Sequence, residues 1–200
     1  MNNMNKKLQV MIEGAITAGL AFALSFIPVE FGAGAAFDLS LGMIPLGVYA
    51  IRRGLPPALV AGFVWALIKV VTGKMIFLTP TQWVFDYILA FTCAGFLGVF
   101  SARTLAAIRS KDPVSLLSWI SASAVVGVFA RWLWHFIAGF LVWGEYAPEG
   151  QSPVVYSLIF NGASFIGNII MLICVLTLLA RWAPVVYLFG LPRESQNSAG

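Results

Sequence analysis

Hydrophobic residues in this chain gather into runs that are separated by proline, glycine and charged residues. Six apolar segments result, at residues 8–27, 41–51, 55–72, 81–103, 114–143 and 155–182. All but the second reach the length that a helix needs to cross a bilayer, about 17 to 25 residues. The second needs a tilted geometry or help from flanking residues. No segment alternates polar and apolar residues as a strand does. In lipid, backbone N–H and C=O groups must form their hydrogen bonds within the protein. The pattern therefore predicts an all-α integral membrane protein with six transmembrane helices.

Composition supports this membrane class. The chain has 200 residues, of which 60% are hydrophobic and only 10% are charged, and its mean hydropathy of +0.90 lies outside the range of soluble domains. The first segment is longer than the apolar region of a signal peptide, about 7 to 15 residues, so we expect it to remain as a helix. We predict a single six-helix membrane domain over residues 1–182 and a short cytoplasmic tail over residues 183–200.

The basic residues predict the orientation. With the N-terminus inside, the inner connections contain Lys6, Lys7, Arg52, Arg53, Arg103, Arg109, Lys111, Arg181 and Arg193, whereas the outer connections contain only Lys74. This bias places both termini in the cytoplasm of a multi-pass plasma membrane protein, provided that the second segment counts as a crossing. The net charge of +4 is explained in the same way, because most basic residues lie in the inner connections of the membrane protein. We therefore expect no nucleic-acid partner.

Several chemistries have no signature in the sequence. Gly73-Lys74 is not a phosphate-binding loop, because the earlier glycine is missing and Met75 follows. Cys93 and Cys174 lie singly inside apolar segments and are interpreted as small core residues. Ser164 has no histidine after it that would act as a base. We predict no catalytic residue, no cofactor and no metal site.

Small residues recur at every fourth position of the first segment. Ala15, Gly19 and Ala23 form a ridge that allows another helix to approach closely. The ridge packs either within this chain or against a separate membrane subunit.

Polar residues from three segments reach a similar depth. Residues 79–82, Thr-Pro-Thr-Gln, fit a helix start, which places Asp86 about 10 Å inside the fourth segment at 1.5 Å per residue. His135 lies about 12 Å below Trp143 at the same rise, and Asn161 lies at a comparable depth in the sixth segment. Asp86 either forms a structural ion pair with Lys69 or Arg131, or faces a water-accessible pocket that meets a cationic ligand.

The fifth and sixth segments each present a polar stripe. Arg131, His135, Gly139 and Trp143 share one helical face, on which Gly139 would leave room for a flat ligand; the alternative is a satisfied core histidine. Ser157, Asn161, Ser164 and Asn168 share a face of the sixth segment. Interhelical hydrogen bonding is their alternative role, which we expect for Asn168. Trp143 and Tyr156 flank the outer mouth of this cluster, whereas most other interfacial aromatic residues would anchor the chain at the membrane surface.

Specific motifs carry a family resemblance. The stretches FDLSLGMIPL (37–46), LTPTQWVFDYILAF (78–91), FARWLWHFIAG (129–139), WGEYAP (143–148) and YSLIFNG (156–162), with RRG at 52–54, resemble the thiamine-binding S component of energy-coupling factor (ECF) transporters, the ThiT family. The resemblance covers residues 8–180 in order.

The resemblance implies a non-catalytic subunit that binds thiamine from outside between its fourth, fifth and sixth helices and the outer loops. It also implies partners, namely a transmembrane coupling protein and two ATPase subunits that hydrolyse ATP, with docking at Ala15, Gly19 and Ala23. The ligand-binding positions that it implies are Asp86, Tyr87, Arg131, His135, Gly139, Trp143, Tyr156 and Asn161. We expect Asp86 to meet the cationic or amino edge of thiamine, Trp143 to stack, and His135, Tyr156 and Asn161 to hydrogen-bond the ligand. Arg131, the deepest on its helix, would support the pocket.

The chain departs from the family at three places. Asp86 replaces the usual glutamate, Arg131 replaces a common lysine, and residues 31–40 lack a tryptophan often found in the first outer loop. These changes leave a second possibility open, an S component for a thiamine precursor or analogue. The remaining alternative is a structural or assembly membrane protein.

Overall fold

The computed structural model describes residues 3–31 and 37–191, and helices dominate these ranges. In chain order the elements are α1 (Asn3–Leu24), β1 (Glu30–Phe31), β2 (Phe37–Asp38), α2 (Met43–Arg53), α3 (Leu55–Val71), α4 (Pro80–Trp83), a π-helical turn (Val84–Leu89), α5 (Ala90–Cys93), a 3-10 turn (Ala94–Gly98), α6 (Ser101–Ser110), α7 (Pro113–Leu141), a second 3-10 turn (Trp143–Tyr146), α8 (Pro153–Trp182) and α9 (Val185–Leu188). The two short strands pair antiparallel, with Glu30 opposite Asp38. The all-α class is thus confirmed, with this small hairpin as an addition.

Three of the described helices are long and apolar enough to cross a membrane, namely α1, α7 and α8. A fourth candidate combines the continuous helical run Pro80–Gly98 with α6, and the two parts meet at 40°. The fourth predicted segment is therefore a bent helix with a π-helical turn near its start. By length and composition, α2 and α3 fall short of a full span.

The start of α4 confirms the helix start predicted at residues 79–82. Thr79 Oγ1 accepts a hydrogen bond from the backbone N–H of Gln82 at 3.1 Å, and Pro80 occupies the first helical position. The side-chain oxygen of Gln82 reaches back to the residue before the cap and accepts from the backbone N–H of Leu78 at 3.3 Å, while its amide nitrogen donates to Asp86 at 3.0 Å. The cap thus positions a residue whose side chain enters the protein interior.

The short helix α2 lies in the centre of the molecule. Its residues Met43, Leu46, Tyr49, Ala50 and Ile51 are at most 4% exposed, and it packs against α1, α3, α6 and α8. Burial on most sides explains how a helix too short to cross a bilayer is stable within this fold.

Glycines allow α3 to pack closely on the run 80–98. A Cβ atom at Gly62 would lie 2.3 Å from the carbonyl oxygen of Phe91, and one at Gly95 would lie 2.5 Å from the backbone nitrogen of Leu59. The two helices are therefore in backbone contact.

A charged group that we call the Glu13 cluster joins α1, α2 and the C-terminal segment. The carboxylate of Glu13 accepts hydrogen bonds from Arg52 at 2.9 Å and from Arg53 at 2.6 Å. Arg52 also donates to the carbonyl oxygens of Val186, Tyr187 and Phe189. The first part of the predicted tail, residues 183–191, thus contacts the helical bundle through residues 186–189; the tail from residue 192 lies outside the described residues.

The small-residue ridge of α1 faces outward. Ala15, Gly19 and Ala23 are all exposed, and a Cβ atom at Gly19 would meet nothing within 4 Å. Packing of the ridge within the described chain, one of the two predicted roles, is therefore wrong. The interpretation of Cys174 as a core residue is also wrong, because its side chain is exposed on α8, whereas Cys93 is half-buried and accepts a hydrogen bond from Trp134.

Candidate functional site

The carboxylate of Asp86 is the centre of a hydrogen-bond network between three elements. It lies in the π-helical turn and is only 8% exposed. Oδ2 accepts from Gln82 Nε2 at 3.0 Å and from Trp143 Nε1 at 2.9 Å, and Oδ1 lies 3.0 Å from His135 Nδ1. The ion pair with Lys69 or Arg131, one of the two alternatives for Asp86, is absent among the described contacts. The prediction that Asp86 and His135 lie at matching depth is confirmed.

Arg131 and His135 extend this network along α7. Arg131 Nε donates to His135 Nε2 at 3.3 Å, and a guanidinium has no acceptor. His135 Nε2 must therefore be the accepting nitrogen, which leaves the proton on Nδ1 to be donated to Asp86. Both ring nitrogens of this neutral histidine thus have protein partners. In this arrangement the ring positions Asp86 and has no free polar atom for a ligand, contrary to our expectation of a direct hydrogen bond.

A cavity of about 490 Å³ opens beside this network, within the range of small-molecule sites, about 300 to 1,000 Å³. It brings together every predicted ligand-binding position, and its lining is Asp38, Lys69, Ile76, Asp86, Tyr87, Phe91, Arg131, His135, Gly139, Trp143, Tyr146, Tyr156, Ser157, Phe160 and Asn161. Aromatic rings supply much of the wall, with Trp143 and Tyr146 5.9 Å apart between centroids. Flat walls and a few fixed polar groups suit a planar ligand.

Tyr87 occupies the wall formed by the bent helix. Its hydroxyl accepts a hydrogen bond from the backbone N–H of Ile76 at 2.8 Å, which ties the connection between α3 and α4 to the cavity. Its ring stacks on Phe91 with centroids 6.1 Å apart. Tyr156, on the wall formed by α8, lies 5.6 Å from Phe160 between ring centroids.

Gly139 has a different local role from the predicted one. A Cβ atom at this position would lie 2.1 Å from Ser157 Oγ and 3.1 Å from Asn161 Nδ2. The space beside Gly139 is therefore filled by α8, and the glycine allows α7 and α8 to approach closely. Ser157 in turn donates to the carbonyl oxygen of Phe136 at 2.8 Å. Gly139 shapes the cavity by bringing its two walls together.

The polar stripe of α8 has two functions along its length. Asn161 lines the cavity and donates to the carbonyl and hydroxyl oxygens of Ser157. One and two turns deeper, the stripe holds the chain that leads into α2: Ser164 Oγ accepts from the backbone N–H of Asp38, and Asn168 bonds Asp38 and Ser40 at 2.8 and 2.9 Å. Asn168 therefore has a structural role, but the expected interhelical bond is wrong, because its partners are β2, the loop that follows it and the carbonyl oxygen of Ser164 on its own helix.

Two charged residues of the cavity wall, Lys69 and Asp38, were not identified from the sequence as ligand-facing. Lys69 was considered only as an ion-pair partner of Asp86. The signal at Lys69 was a cation inside an apolar segment, which marks a functional site by default.

Comparisons with known protein families, sequences and solved structures agree with one another. Residues 11–188 match the model of a family described as thiamine transporter protein. A protein named thiamine transporter ThiT from Lacticaseibacillus paracasei is 39% identical over 92% of each chain. A protein of the same name from Bacillus subtilis is 30% identical over 91% of this chain and 95% of its own. A solved structure of ThiT from Listeria monocytogenes is 38% identical and superposes with a TM-score of 0.86 over 91% of this chain and 98% of that one.

Proposed function

Because the chain belongs to the thiamine transporter protein family, we propose that it is the substrate-binding S component of an ECF-type importer and that it captures thiamine from outside. As a member of this family it is a transporter component rather than an enzyme. The observation that carries the proposal is a buried carboxylate held by three donors at the wall of a cavity lined by aromatic rings.

The chemistry of the cavity suits thiamine, which carries a thiazolium cation and a flat aminopyrimidine. A carboxylate has about four acceptor positions, and the side chains around Asp86 use three of them. The remaining position meets the amino or cationic edge of the ligand. Trp143 stacks on a ring, and Tyr156 and Asn161 supply hydrogen bonds from the α8 side.

The membrane topology consists of six crossings with both termini in the cytoplasm. The run 80–110 provides one bent crossing, and α2 and α3 provide two short ones that neighbouring helices support. The Glu13 cluster, at the C-terminal end of α2, then faces the cytoplasm, as the bias of basic residues requires. The cavity, near the N-terminal end of α8, opens outward.

The exposed ridge at Ala15, Gly19 and Ala23 docks on the transmembrane coupling protein, which assembles with two ATPase subunits in the plasma membrane. Its exposure supports this role. A Gly19→Leu variant would place a large side chain on the ridge, and we expect it to bind thiamine normally but to lose copurification with the coupling protein and ATPases.

Thiamine binding is tested by titrating the purified protein in detergent and following tryptophan fluorescence, with affinities from calorimetry. We expect quenching at micromolar thiamine or below. Asp86→Asn should weaken binding about a hundredfold, or about 2.7 kcal/mol, because one of the three donors around the carboxylate then faces an amide N–H.

The matched control is Glu149→Gln, the same type of change on an exposed loop residue, which should leave the affinity unchanged. A structural or assembly protein predicts a different outcome, in which Asp86→Asn unfolds the chain and the parent protein shows no thiamine binding. Titration with the free pyrimidine and other analogues decides whether Asp86, in place of glutamate, has changed the preferred ligand.

A further inference from the structure

Gln82 is a fully buried polar residue that lies behind the wall of the cavity. It belongs to α4, one turn before Asp86, and it is 0% exposed. It is not among the residues that line the cavity. A buried amide costs free energy unless its oxygen and its nitrogen both have hydrogen-bond partners. The partners of Gln82 therefore show what this residue contributes to the site.

The orientation of the Gln82 amide is fixed by its two partners. Its Oε1 accepts a hydrogen bond from the backbone N–H of Leu78 at 3.3 Å, and its Nε2 donates to Oδ2 of Asp86 at 3.0 Å. A flipped amide would place its oxygen against the carboxylate and its NH2 group against the N–H of Leu78, and both contacts would be repulsive. Gln82 is therefore a donor to Asp86 in the one orientation that satisfies both partners.

The donors around Asp86 are distributed unequally between its two oxygens. Oδ2 accepts from Gln82 Nε2 and from Trp143 Nε1, whereas Oδ1 has His135 Nδ1 as its partner among the described residues. Each carboxylate oxygen has about two acceptor positions. The protein therefore uses both positions of Oδ2, and the open position is on Oδ1.

The three donors differ in their relation to the cavity. Trp143 and His135 are wall residues, whereas Gln82 holds the carboxylate from behind the wall. Gln82 and Asp86 are also four residues apart on one continuous helical run, so the backbone fixes their separation. Gln82 is therefore the donor whose position a ligand in the cavity affects least.

One open acceptor position is enough to discriminate between ligands. An N–H donor at Oδ1 forms a charge-assisted hydrogen bond, whereas a carbonyl oxygen at the same place meets another acceptor. Sites built to hydrogen-bond one polar group reject an analogue that lacks it far more strongly than apolar pockets reject a change of size. This selectivity requires the carboxylate to keep one orientation, because rotation would change which oxygen the ligand meets.

We propose that Gln82 is a positioning residue for ligand selection. By fixing Oδ2 of Asp86, it keeps the open position of Oδ1 available at the cavity wall, and so favours a ligand with an amino group over an analogue with a carbonyl oxygen at that place. The inference rests on the proposed function, because it assigns the amino group of the aminopyrimidine of thiamine to Oδ1. Gln82 acts through Asp86 and does not itself line the cavity.

Two variants separate this role from a structural one, in which Gln82 only satisfies the N–H of Leu78. Gln82→Met removes both hydrogen bonds at a similar side-chain length. Gln82→Glu retains an oxygen that can accept from Leu78, but it replaces the donor to Asp86 by a second acceptor. A structural role predicts lower stability in Gln82→Met with the same loss of affinity for every ligand.

The test compares thiamine with its oxo analogue, in which a carbonyl oxygen replaces the amino group, by calorimetry at pH 7.5. We expect the parent protein to bind thiamine about a hundredfold more tightly than the analogue, or more. Gln82→Met and Gln82→Glu should each reduce this ratio about tenfold, chiefly by weakening the binding of thiamine.

Thr79→Val is the matched control, because it removes the hydroxyl that caps the same helix start but is not a partner of Asp86. It should lower the melting temperature and leave the ratio unchanged.

A folded Gln82 variant of either kind that keeps the parent ratio overturns the inference, and the proposed function stands. The same conclusion follows if the parent binds thiamine no more tightly than the analogue. If neither Gln82 variant can be purified as folded protein, Gln82 is a structural residue and the inference also fails. If the parent binds neither ligand, the proposed function itself fails.

Discussion

The Asp86 network and the Glu13 cluster contain the same kinds of groups, a carboxylate and guanidinium ions among helices, but they use them differently. In the Glu13 cluster one carboxylate is shared by two arginines, and backbone carbonyl oxygens accept from Arg52. In the Asp86 network the carboxylate is held by neutral donors. Lys69 and Arg131, the cations of the same cavity, form no ion pair with a carboxylate among the described side chains. The paired charges of the Glu13 cluster hold α1, α2 and the C-terminal segment together, whereas the charged groups beside the cavity that lack a charged partner are available to a ligand.

The largest expected effect is on the stability of the Glu13 cluster. Glu13→Gln would leave Arg52 and Arg53 without their counter-charge, at side-chain exposures of 9% and 11%, and should cost about 3 kcal/mol of the free energy of unfolding. Thermal unfolding in detergent would show this as a fall in the melting temperature, while the folded protein keeps its thiamine affinity. Glu149→Gln, on an exposed loop, is the control. Equal losses of affinity in Glu13→Gln and Asp86→Asn would remove the distinction between the two regions.

The next effect concerns the positioning of Asp86. His135→Phe keeps a ring of similar shape but removes the donor to Asp86 and the acceptor for Arg131. We expect thiamine affinity to fall about thirtyfold, or about 2 kcal/mol, with a smaller change in melting temperature than in Glu13→Gln. A variant that melts far below the parent protein and binds thiamine normally when folded would instead make His135 a structural residue.

Gly139 connects packing to the cavity, so its substitution should affect both stability and binding. Gly139→Ala brings a methyl group to 2.1 Å from Ser157 Oγ, and the overpacking should cost about 1.5 kcal/mol. Adding Ser157→Gly removes the clashing atoms and should recover part of the loss. Gly162→Ala, on α8 with nothing within 4 Å of the new methyl group, should be neutral or slightly stabilising. Equal effects of the two alanine variants would refute close packing at Gly139.

The smallest effect is expected at Asn168, which holds residues 38 and 40 against α8. Asn168→Ala removes two hydrogen bonds to residues 38 and 40 and should cost about 1 kcal/mol. Since Asp38 lines the cavity, thiamine should leave the variant a few times faster, as measured by stopped-flow fluorescence. An unchanged release rate would show that this loop does not retain the ligand.

The sequence predicted the six apolar segments, the start at Thr79 and the shared depth of Asp86 and His135, because these depend on hydrophobicity, capping and regular helical rise. It did not predict the π-helical turn, since the apolar pattern there is compatible with an ordinary α-helix. Nor did it predict what lies beside Gly139, because a missing side chain accommodates a ligand and a neighbouring helix equally well. The direction of Lys69 depends on Tyr87 and Phe91, which come from another helix.

The π-helical turn at Val84–Leu89 also determines how two faces of the same helix are oriented relative to each other. Asp86 faces the cavity within the turn, and Gly95 packs against α3 after it. Each residue of an α-helix turns the chain by about 100°. The wider π-helical turn therefore sets the angle around the helix axis between the side that faces the ligand and the side that packs on α3. Removing a single residue between 84 and 89 would rotate one side against the other, and would be more harmful than replacing any of those side chains.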